Sequence, residues 1–117
     1  MSINYADRAE EYYKLIGAKK VEEIQNYLDP DVVFISPLAT LKGREAVVEA
    51  TTNFMQALTA LTIRGKFCAA NQAMIVYNVD IPGVSNNFPG ASLLTFRNNM
   101  IVDIELFHDT SRFVQEF

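Results

Sequence analysis

The sequence predicts an α+β domain in which helices pack on one face of a curved, mostly antiparallel sheet. Three observations predict it. Apolar residues recur with a period near 3.6 through the first half of the chain and near 2 after the third helical segment. Helices come first and strands afterwards, which separates the class from folds that alternate the two. Between the second and third helical segments, Asp31 to Gly43 (DVVFISPLATLKG) runs from a short apolar strand through a Pro turn to the start of a helix. That stretch carries the chain from the helical layer into the sheet and marks the mouth of a pocket.

The first helix places Tyr5, Ala9, Tyr12, Tyr13 and Ile16 on one face and Arg8, Glu10, Glu11 and Lys14 on the other, with Gly17 at its end. Val21, Ile24 and Leu28 form the apolar face of a second, shorter helix, which Asp29-Pro30 stops. Pro30 disfavours helical backbone in its predecessor, so the chain leaves extended into Val32 to Ile35. After Pro37 and the loop LATLK, Gly43 takes the N-cap position of the longest helix, with Val47, Thr51, Phe54, Met55 and Leu58 facing inward. Ile63, Phe67 and Ala69 then alternate against Arg64, Lys66 and Cys68, the first set inward. Ala73 to Ile81 is apolar on both faces and belongs at the centre of the sheet. PGVSNNFPG reads as a loop, and Ser92 to Phe96 and Ile101 to His108 flank an RNN turn as a hairpin. In the last strand Val102, Ile104, Leu106 and His108 share the inner face, and Asp103 and Glu105 the outer one.

Composition sets the outer bounds. With 117 residues, half of them apolar, the chain is one domain over residues 1–117 with room for a cavity. A formal net charge of −4 with both signs interspersed provides no basic stripe for phosphates, which argues against nucleic acid and anionic membrane as partners. Cys68 is alone and reads as a small packing residue, so no disulfide and no Cys/His ligand cluster is expected, and no metal or organic cofactor. No basic leader with an apolar run and no span of roughly 18 apolar residues is present, so a cytoplasmic protein is expected.

The phrase from Tyr12 through Leu28, the segment Asp31 to Ser36-Pro37, the LKGREAVVEA opening of the third helix and the ending IVDIELFHDTSRF resemble the SnoaL-like branch of the nuclear-transport-factor-2-like superfamily over nearly the whole chain. The resemblance implies a cone-shaped fold with three N-terminal helices on the curved sheet, a small apolar cavity against its concave face, and a homodimer. Relatives of this kind include isomerases, polyketide cyclases, an epoxide hydrolase and proteins that only bind. Against the ketosteroid-isomerase pattern, Tyr12 stands where a tyrosine donates to the enolate. Ser36, before Pro37, stands where a carboxylate moves the proton, and Ser92, four residues before Phe96, where a protonated Asp joins the oxyanion hole. A serine hydroxyl is not ionised near neutral pH, so the chain is not an isomerase of that kind. Against the epoxide-hydrolase pattern, Leu106 takes the place of the final-strand Asp. Asp109 resembles an Asp that many relatives carry after this strand, with a loop-fixing role as open as a catalytic one.

His108, the single histidine, has the parity of the inner face. It is either a rim residue satisfied by one partner or a general base near Tyr12 or Ser36 that removes a proton α to a carbonyl. A Ser/His acyl-transfer site is disfavoured because no GxSxG elbow is present. Tyr12, Ser36, Ser92 and His108 are expected to converge on one cavity lined by Phe54, Ile104 and Tyr77, holding a small hydrophobic molecule with one or two oxygens. Two functions remain open. The domain binds, and isomerises or cyclises, such a molecule, or it is a non-catalytic dimeric binding or interaction module. A convex face carrying Arg64, Lys66, Asp103, Glu105 and Phe107 is the expected dimer surface.

Overall fold

A computed structural model of the protein describes residues 4–83 and 85–108. Helix α1 (Tyr5–Gly17) starts at Asn4, whose side-chain oxygen accepts from the Asp7 N–H at 3.2 Å, and buries Ala6, Ala9, Tyr12, Tyr13 and Ile16. Gly17 is its last residue. The left-handed turn falls on Lys19, at φ 60°. The second helix is shorter than expected, because α2 (Val21–Ile24) tightens into a 3-10 turn at Gln25–Tyr27 and the chain is already extended at Leu28. Strand β1 (Leu28–Ile35) begins there, since pairing Leu28 with Ile101 buries both completely, a gain that a further helical turn would forfeit. Pro30 sits where the register of β1 breaks between Leu28 and Val33, with the Asp29 carboxylate accepting from the Asp31 N–H at 2.9 Å.

The expected loop LATLK contains a further strand, β2 (Thr40–Lys42), paired antiparallel with β1. Gly43 follows at φ 93°, a conformation that L side chains rarely adopt, and donates its N–H to the Val32 carbonyl at 2.8 Å. This aims α3 (Arg44–Ala57) back across the sheet. Strands β3 (Ala60–Ala69), β4 (Gln72–Ile81), β5 (Ser85–Arg97) and β6 (Met100–His108) complete a six-stranded sheet ordered β2-β1-β6-β5-β4-β3. β1 runs parallel to β6 and the other pairs are antiparallel. The helices pack on one face, over Ala73, Ile75, Tyr77 and Val79 of β4 and Leu94, Phe96 and Ile104 of β5 and β6. The predicted fold class, α+β with three helices on a curved, mostly antiparallel sheet, is the one observed.

Two bulges shift side chains between faces. Ile63 pairs with Tyr77 and Gly65 with Val76, so Arg64 is an extra residue and the parity of β3 inverts beyond it. Lys66 therefore faces the helices, where its ammonium meets Asp7 at 2.6 Å and Glu10 at 3.1 Å, and Phe67 is turned outward at 62% exposure. The expectation that Phe67 packs inward and Lys66 outward is thus reversed. A second bulge pairs Phe96 with Ile101 and Thr95 with Asp103, leaving Val102 as the extra residue and Ile101 as the buried one. The segment read as a loop, PGVSNNFPG, is mostly strand. Phe88 and Pro89 pair with Val79 and Asn78, and Asn87 takes up φ 52° with its N–H on the Asp80 carboxylate at 2.6 Å.

Among the described residues the outer face of the sheet carries no helix. Phe67, Met74, Leu93, Glu105 and Ile35 are ladder partners in one line across five strands, and Val76, Ala91 and Phe107 form the next line. Asn78 Oδ1 and Asp103 Oδ1 are buried there without a hydrogen-bond partner among the described residues.

Candidate functional site

Between α1, α3 and the inner face of the sheet lies a cavity of about 300 Å³. Its walls follow from two periods. Residues 12, 13 and 16 of α1 and 47, 50, 51 and 54 of α3 recur at helical spacing, while 77, 79 and 81, 88, 90 and 92, and 104, 106 and 108 recur at every second position of β4, β5 and β6. Phe34 of β1 closes the side. Tyr12, Tyr13, Ile16, Val47, Ser92 and Ile104 are buried at the deep end, and Phe34, Phe54, Ile81, Leu106 and His108 are half-buried toward the mouth. Large rings wall the space without filling it: Tyr13 stacks on Tyr77 at 5.0 Å between centroids and meets Tyr12 edge-on at 5.4 Å.

Polar groups form two clusters in an otherwise apolar lining. The Tyr12 hydroxyl lies beside Thr51 across the α1/α3 contact. Tyr77 Oη and Ser92 Oγ share a hydrogen bond at 3.1 Å, with the Tyr13 phenol beside them. Burial raises all three phenols above the ordinary tyrosine value, so they are neutral hydroxyl donors and acceptors throughout the physiological range. Among the described residues no Asp, Glu, Lys or Arg lines the cavity. His108 stands toward the mouth, opposite Gly90 in the ladder, its ring 5.9 Å from that of Phe88.

Of the residues singled out in the sequence, Tyr12, Phe54, Tyr77, Ser92, Ile104 and His108 line this one cavity. Ser36 does not. Its hydroxyl donates to the Ala39 carbonyl at 3.1 Å and accepts from the N–H groups of Leu38 and Ala39 at 3.3 and 3.1 Å, so it closes the turn from β1 to β2. The proposed convergence of Ser36 with His108 is therefore withdrawn. Asp109 lies outside the described residues. Tyr13, Thr51 and Gly90 were not singled out as site residues. Tyr13 and Thr51 were placed on inward helix faces, but sequence alone does not separate an inward hydroxyl that meets the core from one that meets a cavity. Gly90 carries its signal only in the structure: a Cβ there would stand 3.2 Å from the Tyr77 ring, so the missing side chain is what lets that ring lie against β5.

Cys68 is exposed, and among the described residues no three His, Cys, Asp or Glu side chains come together as a metal site. No helix among them is long and apolar enough to cross a membrane.

A family model described as the SnoaL-like domain matches residues 9–104. Comparison with curated proteins gave no match. Solved structures share the fold across almost the whole chain. A protein from Kribbella flavida superposes with a TM-score of 0.86 at 19% identity, covering 94% of this chain and 90% of its own. An NTF2-like protein from Cytophaga hutchinsonii gives 0.82 at 13% identity, covering 97% of each chain. A steroid delta-isomerase from Pseudomonas aeruginosa gives 0.80 at 19% identity, covering 98% of this chain and 86% of its own.

Proposed function

The chain belongs to the SnoaL-like domain family, and from that premise and the geometry of its cavity we propose that it binds a small, apolar, oxygen-bearing molecule between α1, α3 and the inner face of the sheet. The observation that carries this reading is a partly open cavity of about 300 Å³ whose lining, among the described residues, is apolar apart from a few hydroxyls and one imidazole. Cavities of this kind bury most of a small ligand against apolar walls and orient it by a few polar groups. Isothermal titration with tetralin, a neutral hydrocarbon, tests it. The native protein should bind tetralin, and Ala50→Phe, which puts a ring into the space from a half-buried position, should abolish binding while the fold persists. Undiminished binding to Ala50→Phe, or none to the native protein, would contradict the reading.

A second reading adds chemistry, and His108 favours it. Among the described residues of this lining, histidine is the one side-chain type that exchanges protons near neutral pH. An isomerisation or cyclisation that begins with proton loss α to a carbonyl would use His108 as base and the hydroxyls as partners of the developing oxyanion. Exchange of the α-protons of α-tetralone in deuterated buffer reads this directly. Acceleration by the native protein that is lost in His108→Gln supports it, and exchange at the buffer rate leaves binding alone.

The outer face supports a homodimer. Its apolar lines, with Phe67 and Phe107 at 62% and 44% exposure, together with Asn78 Oδ1 and Asp103 Oδ1, which have no partner among the described residues, fit a second copy of the same sheet.

A further inference from the structure

We propose that the ligand is a compact, uncharged carbonyl compound of one or two rings, and that its oxygen is held by the Tyr77–Ser92 pair on the β4/β5 wall rather than by Tyr12. This deepens the binding reading above and rests on it.

Three observations carry the proposal. The first is the division of the hydroxyls. Tyr12 points its polar end at Thr51 across the α1/α3 contact, which gives that hydroxyl a polar neighbour within the helical layer. Among the described residues Tyr77 and Ser92 bond to one another at 3.1 Å, with the Tyr13 phenol beside them. Hydroxyl protons rotate freely, and a carbonyl oxygen is a stronger acceptor than a phenol oxygen. A ligand carbonyl at this wall therefore takes over a proton that the cluster otherwise passes between hydroxyls, and no buried donor is orphaned. The cluster is also held in place: Gly90 faces Tyr77 in the ladder and leaves room for its ring, and the ring stacks on Tyr13 at 5.0 Å.

The second observation is charge. Among the described residues no Lys or Arg lines the cavity, and those at the deep end are neutral. The desolvation that raises the three phenols bears equally on any ligand anion brought beside them. A carboxylate there would lack a compensating cation, a loss that one or two hydroxyl donors do not offset. The third is size. About 300 Å³ is at the lower end of the range of roughly 300–1,000 Å³ for small-molecule sites, which matches one or two fused rings.

The test is calorimetric titration of the native protein with three probes of similar shape, α-tetralone, tetralin and α-naphthoate, repeated on Tyr77→Phe, Ser92→Ala and Tyr12→Phe. The ketone should bind about tenfold more tightly than the hydrocarbon, the advantage of one buried hydrogen bond. That ratio should fall to within about twofold in Tyr77→Phe and Ser92→Ala and stay near tenfold in Tyr12→Phe, while naphthoate binds more weakly than both neutral probes. Taking the ratio within each variant removes any general effect on folding. A ratio near one in the native protein, a ratio that survives both wall substitutions, a ratio lost only in Tyr12→Phe, or naphthoate binding as tightly as tetralone would each overturn the proposal. All of these leave the cavity reading intact, because tetralin still binds. Absence of binding by every probe overturns both.

Discussion

Replacing Gly90 by alanine adds one methyl group at the point where the site is tightest. The new Cβ would lie 3.2 Å from Tyr77 Cε2, 3.4 Å from Cζ and 3.5 Å from Oη. Carbon atoms in contact prefer about 3.5–4.0 Å, so the ring has to withdraw by a few tenths of an ångström. Withdrawal lengthens the 3.1 Å contact between Tyr77 and Ser92, at a cost of about 1 kcal/mol for one hydrogen bond, with a further 1–3 kcal/mol for overpacking. Against this, alanine restricts the unfolded chain and returns about 0.4–1 kcal/mol, because Gly90 has no positive φ that would strain a side chain. The net expectation is a loss of about 1–3.5 kcal/mol in guanidinium unfolding followed by circular dichroism. The same ring movement narrows the cavity that Gly90 lines and should weaken α-tetralone binding by about tenfold or more. A variant as stable as the parent that binds the ketone equally well would show that Tyr77 is not held where these contacts place it.

The buried phenols predict an alkaline instability. Tyr12, Tyr13 and Tyr77 keep their protons in the folded state above the ordinary value near 10, so the stability they contribute is complete below about pH 10 and is lost as pH rises through their folded values. If only unfolding ionises all three, the fall approaches about 4 kcal/mol per pH unit, and Tyr77→Phe should flatten it by about a third; a native protein whose stability is level from about pH 9 to 11 would count against their burial. Ser36→Ala should destabilise the β1–β2 turn by about 1 kcal/mol and leave tetralin affinity unchanged, whereas Ser36→Asp should create no steroid isomerase activity, since the side chain is committed to the turn and not to the cavity. Leu93→Lys places a charge at the middle of the outer-face line and should convert a dimer into a folded monomer in light scattering, with the native interface burying more than about 1,000 Å² in total; a native monomer at micromolar concentration would remove the dimer proposal.

Much of the site was legible because it rests on parity and helical spacing. Tyr12 and Phe54 share inward helix faces, and Ile104 and His108 alternate from one buried strand position, so sequence spacing alone brings them toward one space. Ser92 was reached through the family pattern, and the cavity receives it. What failed was what tertiary pairing decides. The bulge at Arg64 exchanges the faces of Lys66 and Phe67; the one local signal for it is Gly65 inside the strand, which the alternation of the flanking residues masks. Leu28 reads as helical by its spacing from Ile24, yet its partner Ile101 lies in the last strand. Ser36 stands at a position where relatives carry a catalytic acid, but a serine two residues before a free N–H closes a turn by itself, and that local bond prevailed.

The central claim, that the cavity and not the outer face receives a small neutral molecule, is tested most directly by methyl NMR of the native protein titrated with α-tetralone. Both surfaces carry reporters: Ile16, Val47, Val79, Ile104 and Leu106 line the cavity, and Val33, Ile35 and Leu93 lie on the outer face. The account predicts saturable shifts of the first group with the second unmoved. Shifts confined to the outer-face methyls, or none at millimolar ketone, would contradict it.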